Sequence, residues 1–159
     1  MIPKGKLIII GGHEDKGEID DENLKVHKKG KSNSHFEILG TLISKIPRKH
    51  HAIEIIAAAS SIPVEMDELY INSYKKVGFT HVGLIKVENE EDAGSAISIK
   101  RIQEAHAVFF TGGDQKRLVA LLAQTKLLAA IKKKYYSDKN FIIAGTSAGA
   151  MVMPEIIIT

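Results

Sequence analysis

The chain has 159 residues, 44% hydrophobic and 26% charged, the balance of one folded globular domain rather than of a disordered polymer. Its 22 Lys and Arg against 19 Asp and Glu leave a net charge of +3, too small to argue for a nucleic-acid partner. With no cysteine, disulfides, thiolate metal sites and cysteine nucleophiles are excluded together.

The N-terminus runs through only four aliphatic residues, Leu7 to Ile10, before two glycines. A secretory signal needs a longer apolar core, so this run reads as a first strand and the cytoplasm as the default location. No apolar stretch approaches the ~20 residues that span a bilayer, so no membrane association is expected. From His13 to Ser34 the chain turns polar, with six acidic and five basic residues around Ile19, Leu24 and Val26. That is too long for an ordinary strand-to-helix turn of ~2–6 residues. It is either a loop over a site or a surface excursion, and the surface reading is preferred; the role of 17–33 stays open.

Phe36, Leu39, Ile43 and Ile46 then step by three and four, the period of an amphipathic helix. Ile53 to Ala58 is a second strand. Ser61 followed by Pro63 is a helix start signal, and Met66, Leu69, Tyr70, Ser73, Tyr74 and Val77 continue at helical spacing. His81 to Val87 is a third strand, 91–104 a weaker helix, and Ala107 to Phe110 a fourth strand. Segment 115–135 is one helix or two, with a break near Thr125. Lys132-Lys133-Lys134 at its end reads as a solvated face that also complements the helix dipole. Phe141 to Ala144 is the fifth strand. Short apolar strands alternating with helices imply parallel pairing through right-handed crossovers. The expected fold is therefore α/β, a doubly wound, mainly parallel sheet flanked by helices, in a single domain over 1–159.

Three glycine-rich stretches follow strands. In Gly145-Thr146-Ser147-Ala148-Gly149 an apolar strand runs straight into G-x-S-x-G, the order a nucleophile elbow needs. The glycines let neighbouring backbone approach, and a following helix would point its first amides at a developing oxyanion. The competing reading is a small-residue turn in which Ser147 caps a helix. In Phe110-Thr111-Gly112-Gly113-Asp114-Gln115 two glycines expose backbone amides at the carboxyl edge of the sheet, where open α/β folds bind ligands. Gly113 N–H is a natural partner for the Ala148 amide in an oxyanion hole, with Asp114 and Gln115 on the rim. Taken alone, Asp114 as a helix N-cap is the preferred reading of that turn. The third stretch, Ile10-Gly11-Gly12-His13-Glu14-Asp15-Lys16, lacks the G-x-G-x-x-G of a dinucleotide site, and the chain has no P-loop. The seven histidines, His13, His27, His35, His50, His51, His81 and His106, form no helical metal pair, and neither metal nor cofactor is expected.

Together these three stretches resemble the serine peptidase family that holds cyanophycinase and aspartyl dipeptidase, whose fold is related to the class I glutamine amidotransferases. They span nearly the whole chain in the family's order. The resemblance implies hydrolysis of cyanophycin, a polyaspartate carrying arginine on its side chains, to β-Asp-Arg dipeptides. It makes Ser147 the nucleophile and Gly113 and Ala148 the oxyanion donors, and it places Gln115 and Asp114 along the substrate pocket. The implied partners are a peptide substrate and a second copy in a homodimer. Two alternatives stand beside it: an aspartyl dipeptidase of the same family, or a truncated domain that binds or assembles without catalysis. In the family the catalytic His and its acid follow the serine, whereas here twelve residues follow Ser147. The expectation is the N-terminal part of a longer hydrolase, with the C-terminal half of its sheet incomplete.

Overall fold

The computed structural model describes residues 2–11, 37–47, 51–57 and 64–153. Gly12 to Lys16, the charged segment 13–34, the Ser61–Pro63 start signal and Pro154 to Thr159 lie outside the described residues. Five strands, β1 (Lys6–Ile10), β2 (Ala52–Ala57), β3 (His81–Lys86), β4 (Ala107–Phe110) and β5 (Ile142–Thr146), form one sheet. Their order is β1-β5-β4-β2-β3, and every pairing is parallel. The helices are α1 (Glu37–Ser44), α2 (Val64–Lys76), α3 (Glu90–Gly94), α4 (Ala96–Glu104), α5 (Gln115–Leu122), α6 (Lys126–Ser137) and α7 (Ala148–Met151).

Strand order decides which face each helix covers. From β1 through β2 to β3 the chain crosses the sheet in one direction, and from β3 through β4 to β5 it returns. Right-handed crossovers therefore put α1 and α2 on one face and α3 to α6 on the other. The core divides accordingly. Leu39 and Leu42 of α1 and Tyr70 and Tyr74 of α2 pack on Ile53, Ile55, Phe109 and Ala144. Ala93, Ile102, Leu118, Leu127 and Ile131 pack on Ile56, Val108, Phe110 and Ile143. The inner strands β4 and β5 lack polar alternation because helices cover both their faces, and both are buried throughout. Ser73 sits in the buried stripe of α2 because its hydroxyl donates to the Leu69 carbonyl at 2.7 Å.

Two features differ from the sequence expectation. Segment 91–104 is not one helix: Asn89 accepts from the Asp92 amide to cap α3, and Ser95 accepts from the Ser98 amide to cap α4. In the lysine run, Lys132 and Lys133 are exposed, but Lys134 turns inward. Its ammonium lies 5.2 Å from the Phe141 ring centre and donates to the Gln103 carbonyl in the last turn of α4. Burial holds this lysine below its ordinary range, against the opposing pull of Asp138 and Glu104. The break near Thr125 falls as expected, with Gln124 at φ 62° and Thr125 Oγ1 accepting from the Leu128 amide at 3.3 Å.

β1 is an edge strand among the described residues, and one of its faces is bare. Ile8 and Ile10 turn toward α1 and α2, while Leu7 and Ile9 on the other face are 43% and 62% exposed. Leu7 also borders an apolar cavity of about 510 Å³ that reaches Leu122, Ile131, Tyr135, Ile143 and Met153.

Candidate active site

Carboxyl ends of the adjacent strands β1, β5 and β4 meet on one edge of the sheet, and a glycine-rich stretch leaves each of them. At the centre, β5 passes through Thr146 into Ser147 and then into α7. Phe141 to Ala150 is buried at every position except Ser147, which is exposed. Ser147 has φ 48° and ψ −119°, backbone that side-chain-bearing residues rarely adopt. Its hydroxyl makes no cap bond to α7, so the helix-cap reading of this serine does not hold.

Close packing makes the strained turn possible. A Cβ on Gly145 would come within 2.7 Å of the Gly149 carbonyl oxygen and 2.6 Å of the Met153 methyl. One on Gly149 would come within 2.7 Å of the Thr111 carbonyl. The two glycines of G-x-S-x-G thus let α7 fold back onto both β5 and the end of β4. On the other side the Ser147 amide donates to the Ile10 carbonyl at 3.3 Å, which ties the turn to the end of β1. That amide is therefore occupied. The next one, of Ala148, is the first of α7, and first-turn amides have no acceptor within their own helix.

From β4, Thr111 is buried and its amide donates to the Ile56 carbonyl at 3.2 Å, fixing the strand end. Gly112 follows at the side of Ser147: a Cβ built there would lie 3.5 Å from Ser147 Cβ and 3.9 Å from its Oγ. Gly113 is exposed and has φ 138°, a conformation only glycine takes without strain. Asp114 is the N-cap of α5, its Oδ1 accepting from the Lys116 and Arg117 amides at 2.8 and 3.2 Å. Gln115 opens that helix and is partly exposed. The sequence reading singled out Gly113 and passed over Gly112, the residue that stands against the serine. The doubled glycine was the only signal for it.

The described histidines lie at the other end of the sheet. His51 precedes β2, His81 begins β3 and His106 precedes β4. The His51 carbonyl accepts from Thr80 and His81 amides, the His51 ring stands edge-on to Phe79, and His106 Nδ1 accepts from the Ala52 amide at 3.4 Å. Strands of four to six residues at ~3.3 Å per residue place these rings more than ~10 Å from Ser147, out of reach of its hydroxyl.

The profile of peptidase family S51 matches residues 26–159. A cyanophycinase of Synechococcus elongatus is 32% identical over 155 residues, covering 98% of this chain and 43% of that protein. A cyanophycinase of Trichormus variabilis is 31% identical over 150 residues, covering 94% of this chain and 45% of that protein. The chain thus spans somewhat under half the length of these curated relatives. Among solved structures, a peptidase from an acI-B1 Actinobacterium superposes with a TM-score of 0.74 at 22% identity, over 99% of this chain and 59% of that one. That superposition establishes the shared α/β fold.

Proposed function

The chain belongs to peptidase family S51, and on that premise we propose that it is the nucleophile-bearing part of a serine exopeptidase that cuts cyanophycin to β-Asp-Arg dipeptides. The observation that carries the reading is Ser147: an exposed, uncapped hydroxyl on a strained turn inside an otherwise buried run. Strain of this kind costs about 1–3 kcal/mol and persists where the surrounding packing imposes it. The relatives named cyanophycinase supply the substrate class.

In the proposed reaction, Ser147 Oγ attacks the scissile carbonyl while a general base takes its proton. The Gly113 and Ala148 amides receive the developing oxyanion. The C–N bond then breaks as the leaving amine takes the proton from the base. Water next attacks the acyl carbonyl while the base takes its proton, and the C–O bond to Ser147 breaks as Oγ regains that proton. Gln115 borders the substrate, and Asp114, by capping α5, holds the turn that carries Gly113. The base and its acid come from outside the described residues, in keeping with the resemblance, which puts both after the serine. On this reading 1–159 is a single α/β domain of a longer, cytoplasmic, homodimeric hydrolase, and its working partner is a peptide.

The test is covalent trapping. The full-length protein is treated with a fluorophosphonate, digested, and read by mass spectrometry. An adduct on Ser147 together with dipeptide release from cyanophycin supports the proposal; an unmodified Ser147 in an active preparation overturns it. Activity on free aspartyl dipeptides without action on cyanophycin would transfer the assignment to the dipeptidase alternative.

A further inference from the structure

We infer that Gly112 is a specificity-determining residue, keeping open the side of Ser147 Oγ through which a substrate carbonyl enters. The inference rests on the nucleophile reading above and adds a residue to it. Glycine is usually required by a left-handed backbone or by a neighbour too close for a Cβ. Neither applies at Gly112. It is absent from the positive-φ glycines, unlike Gly113, and the nearest atom a Cβ would meet is 3.5 Å away, an ordinary van der Waals contact. The three nearest atoms a Cβ would meet are Ser147 Cβ at 3.5 Å, the Thr146 carbonyl oxygen at 3.8 Å and Ser147 Oγ at 3.9 Å. An alanine here would therefore fit the fold, and its methyl would stand against the serine and the carbonyl that precedes it.

That position matters for attack. A reacting carbonyl carbon must come within about 3–3.5 Å of the nucleophile with its oxygen turned toward the amide donors. On the nucleophile reading those donors are the Gly113 amide, next in the chain to Gly112, and the Ala148 amide. A methyl 3.9 Å from Oγ occupies part of the volume that the carbonyl and its acyl substituent need. An acyl group at the scissile bond reaches Ser147 past Gly112, and added bulk at residue 112 obstructs it.

The test reads this space without catalysis, in the full-length protein, by mass spectrometry of the peptide that carries residue 147. Ser147→Cys places a thiol at the site, where residues 1–159 hold no other, and iodoacetamide, a small planar amide, reports access to it. Alkylation is timed in Ser147→Cys and in Gly112→Ala/Ser147→Cys, with Lys133→Cys in each Gly112 background as an exposed reference. The expected result is that Gly112→Ala slows alkylation at position 147 about tenfold or more and leaves position 133 unchanged. Equal rates at position 147 overturn the inference. So does a Gly112→Ala chain that fails to fold, since the glycine would then serve the fold and not the site. Alkylation needs no general base, so this result is independent of whether Ser147→Ala abolishes turnover, which tests the nucleophile reading itself.

Discussion

A side chain on Gly149 has nowhere to go, because its Cβ would overlap the carbonyl group of Phe110 at the end of β4. The first turn of α7 is thereby pressed against the neighbouring strand. This contact links strand packing to the site: α7 cannot move away from β4 without carrying Ser147 with it.

Gly149→Ala forces that movement. Overpacking a close backbone contact costs about 1–3 kcal/mol, and the strain falls on the turn that presents Ser147. The expected outcome is a lower melting temperature and loss of both fluorophosphonate labelling and turnover in the full-length protein. Gly145→Ala, which meets the Gly149 carbonyl, should behave alike. Wild-type melting and labelling in either variant would show that α7 is not packed as described.

The positions of His51, His81 and His106 at the amino ends of β2, β3 and β4 predict that none serves as base. Replacing each by Gln in the full-length protein should leave kcat/KM within about threefold of wild type, whereas loss of a true base costs several orders of magnitude. The 159-residue chain alone should release almost no dipeptide from cyanophycin. A large loss at any one of the three would relocate the catalytic base.

Much of this architecture was legible in local sequence. Short apolar runs gave the five strands, and in β4 and β5 burial on both faces leaves no polar alternation to confuse the period. Thr125 marked the break between α5 and α6 because a threonine can accept an amide of the next helix turn. Ser147 stood out because glycines two before and two after it, behind a buried strand, are what a tight elbow requires. Features set by distant residues were not legible. Lys134 reads as one more solvated lysine until α4 is laid beside α6 and brings the Gln103 carbonyl to it. Gly112 gained its meaning only when β4 and β5 became neighbours. The split of 91–104 was missed because its two caps, Asn89 and Ser95, lie close together and α3 is only five residues long.

Glu54 and Arg101 form a forked ion pair between β2 and α4, with the Arg101 guanidinium also donating to the Leu84 carbonyl at 3.2 Å. Glu54 is 12% exposed and Arg101 34% exposed, so solvent partly screens the pair. Removing the carboxylate strands a partly buried guanidinium. Glu54→Ala should cost about 2–3 kcal/mol, below the range for fully buried pairs. Glu54→Leu with Arg101→Leu should cost clearly less than Glu54→Ala. A double variant as unstable as the single would mean that packing, not charge, carries the effect. Denaturant melts of the three proteins decide between them.

The bare face of β1 predicts association. Leu7 and Ile9 present aliphatic side chains to solvent, Leu7 at the border of an apolar cavity, and exposed patches of this kind become interfaces or aggregation sites. The 159-residue chain in isolation should oligomerise or precipitate at micromolar concentration. Ile9→Lys should reduce that tendency with little change in the melt, since Ile9 is already 62% exposed. Light scattering of the two proteins is the measurement, and a wild-type chain that stays monomeric would remove β1 as the cause.

Ser147 is held at φ 48° and ψ −119°, which glycine adopts freely and serine does not. Ser147→Gly should therefore raise stability by about 1 kcal/mol through relief of strain, less what glycine loses in unfolded-state entropy. Ser147→Ala keeps the strain and loses no cap bond, so its stability should stay within about 0.5 kcal/mol of wild type. Both variants lack the nucleophile and should release no dipeptide from cyanophycin. The pattern of stability kept or gained while activity is lost is the mark of a residue whose conformation serves chemistry and not folding. If Ser147 instead capped α7, both substitutions would lower stability and spare turnover, Ala by about 1 kcal/mol and Gly by a few tenths. Thermal melts and dipeptide release on the same two full-length variants separate these patterns. Retained turnover in Ser147→Gly would remove the serine from the mechanism whatever the melt shows.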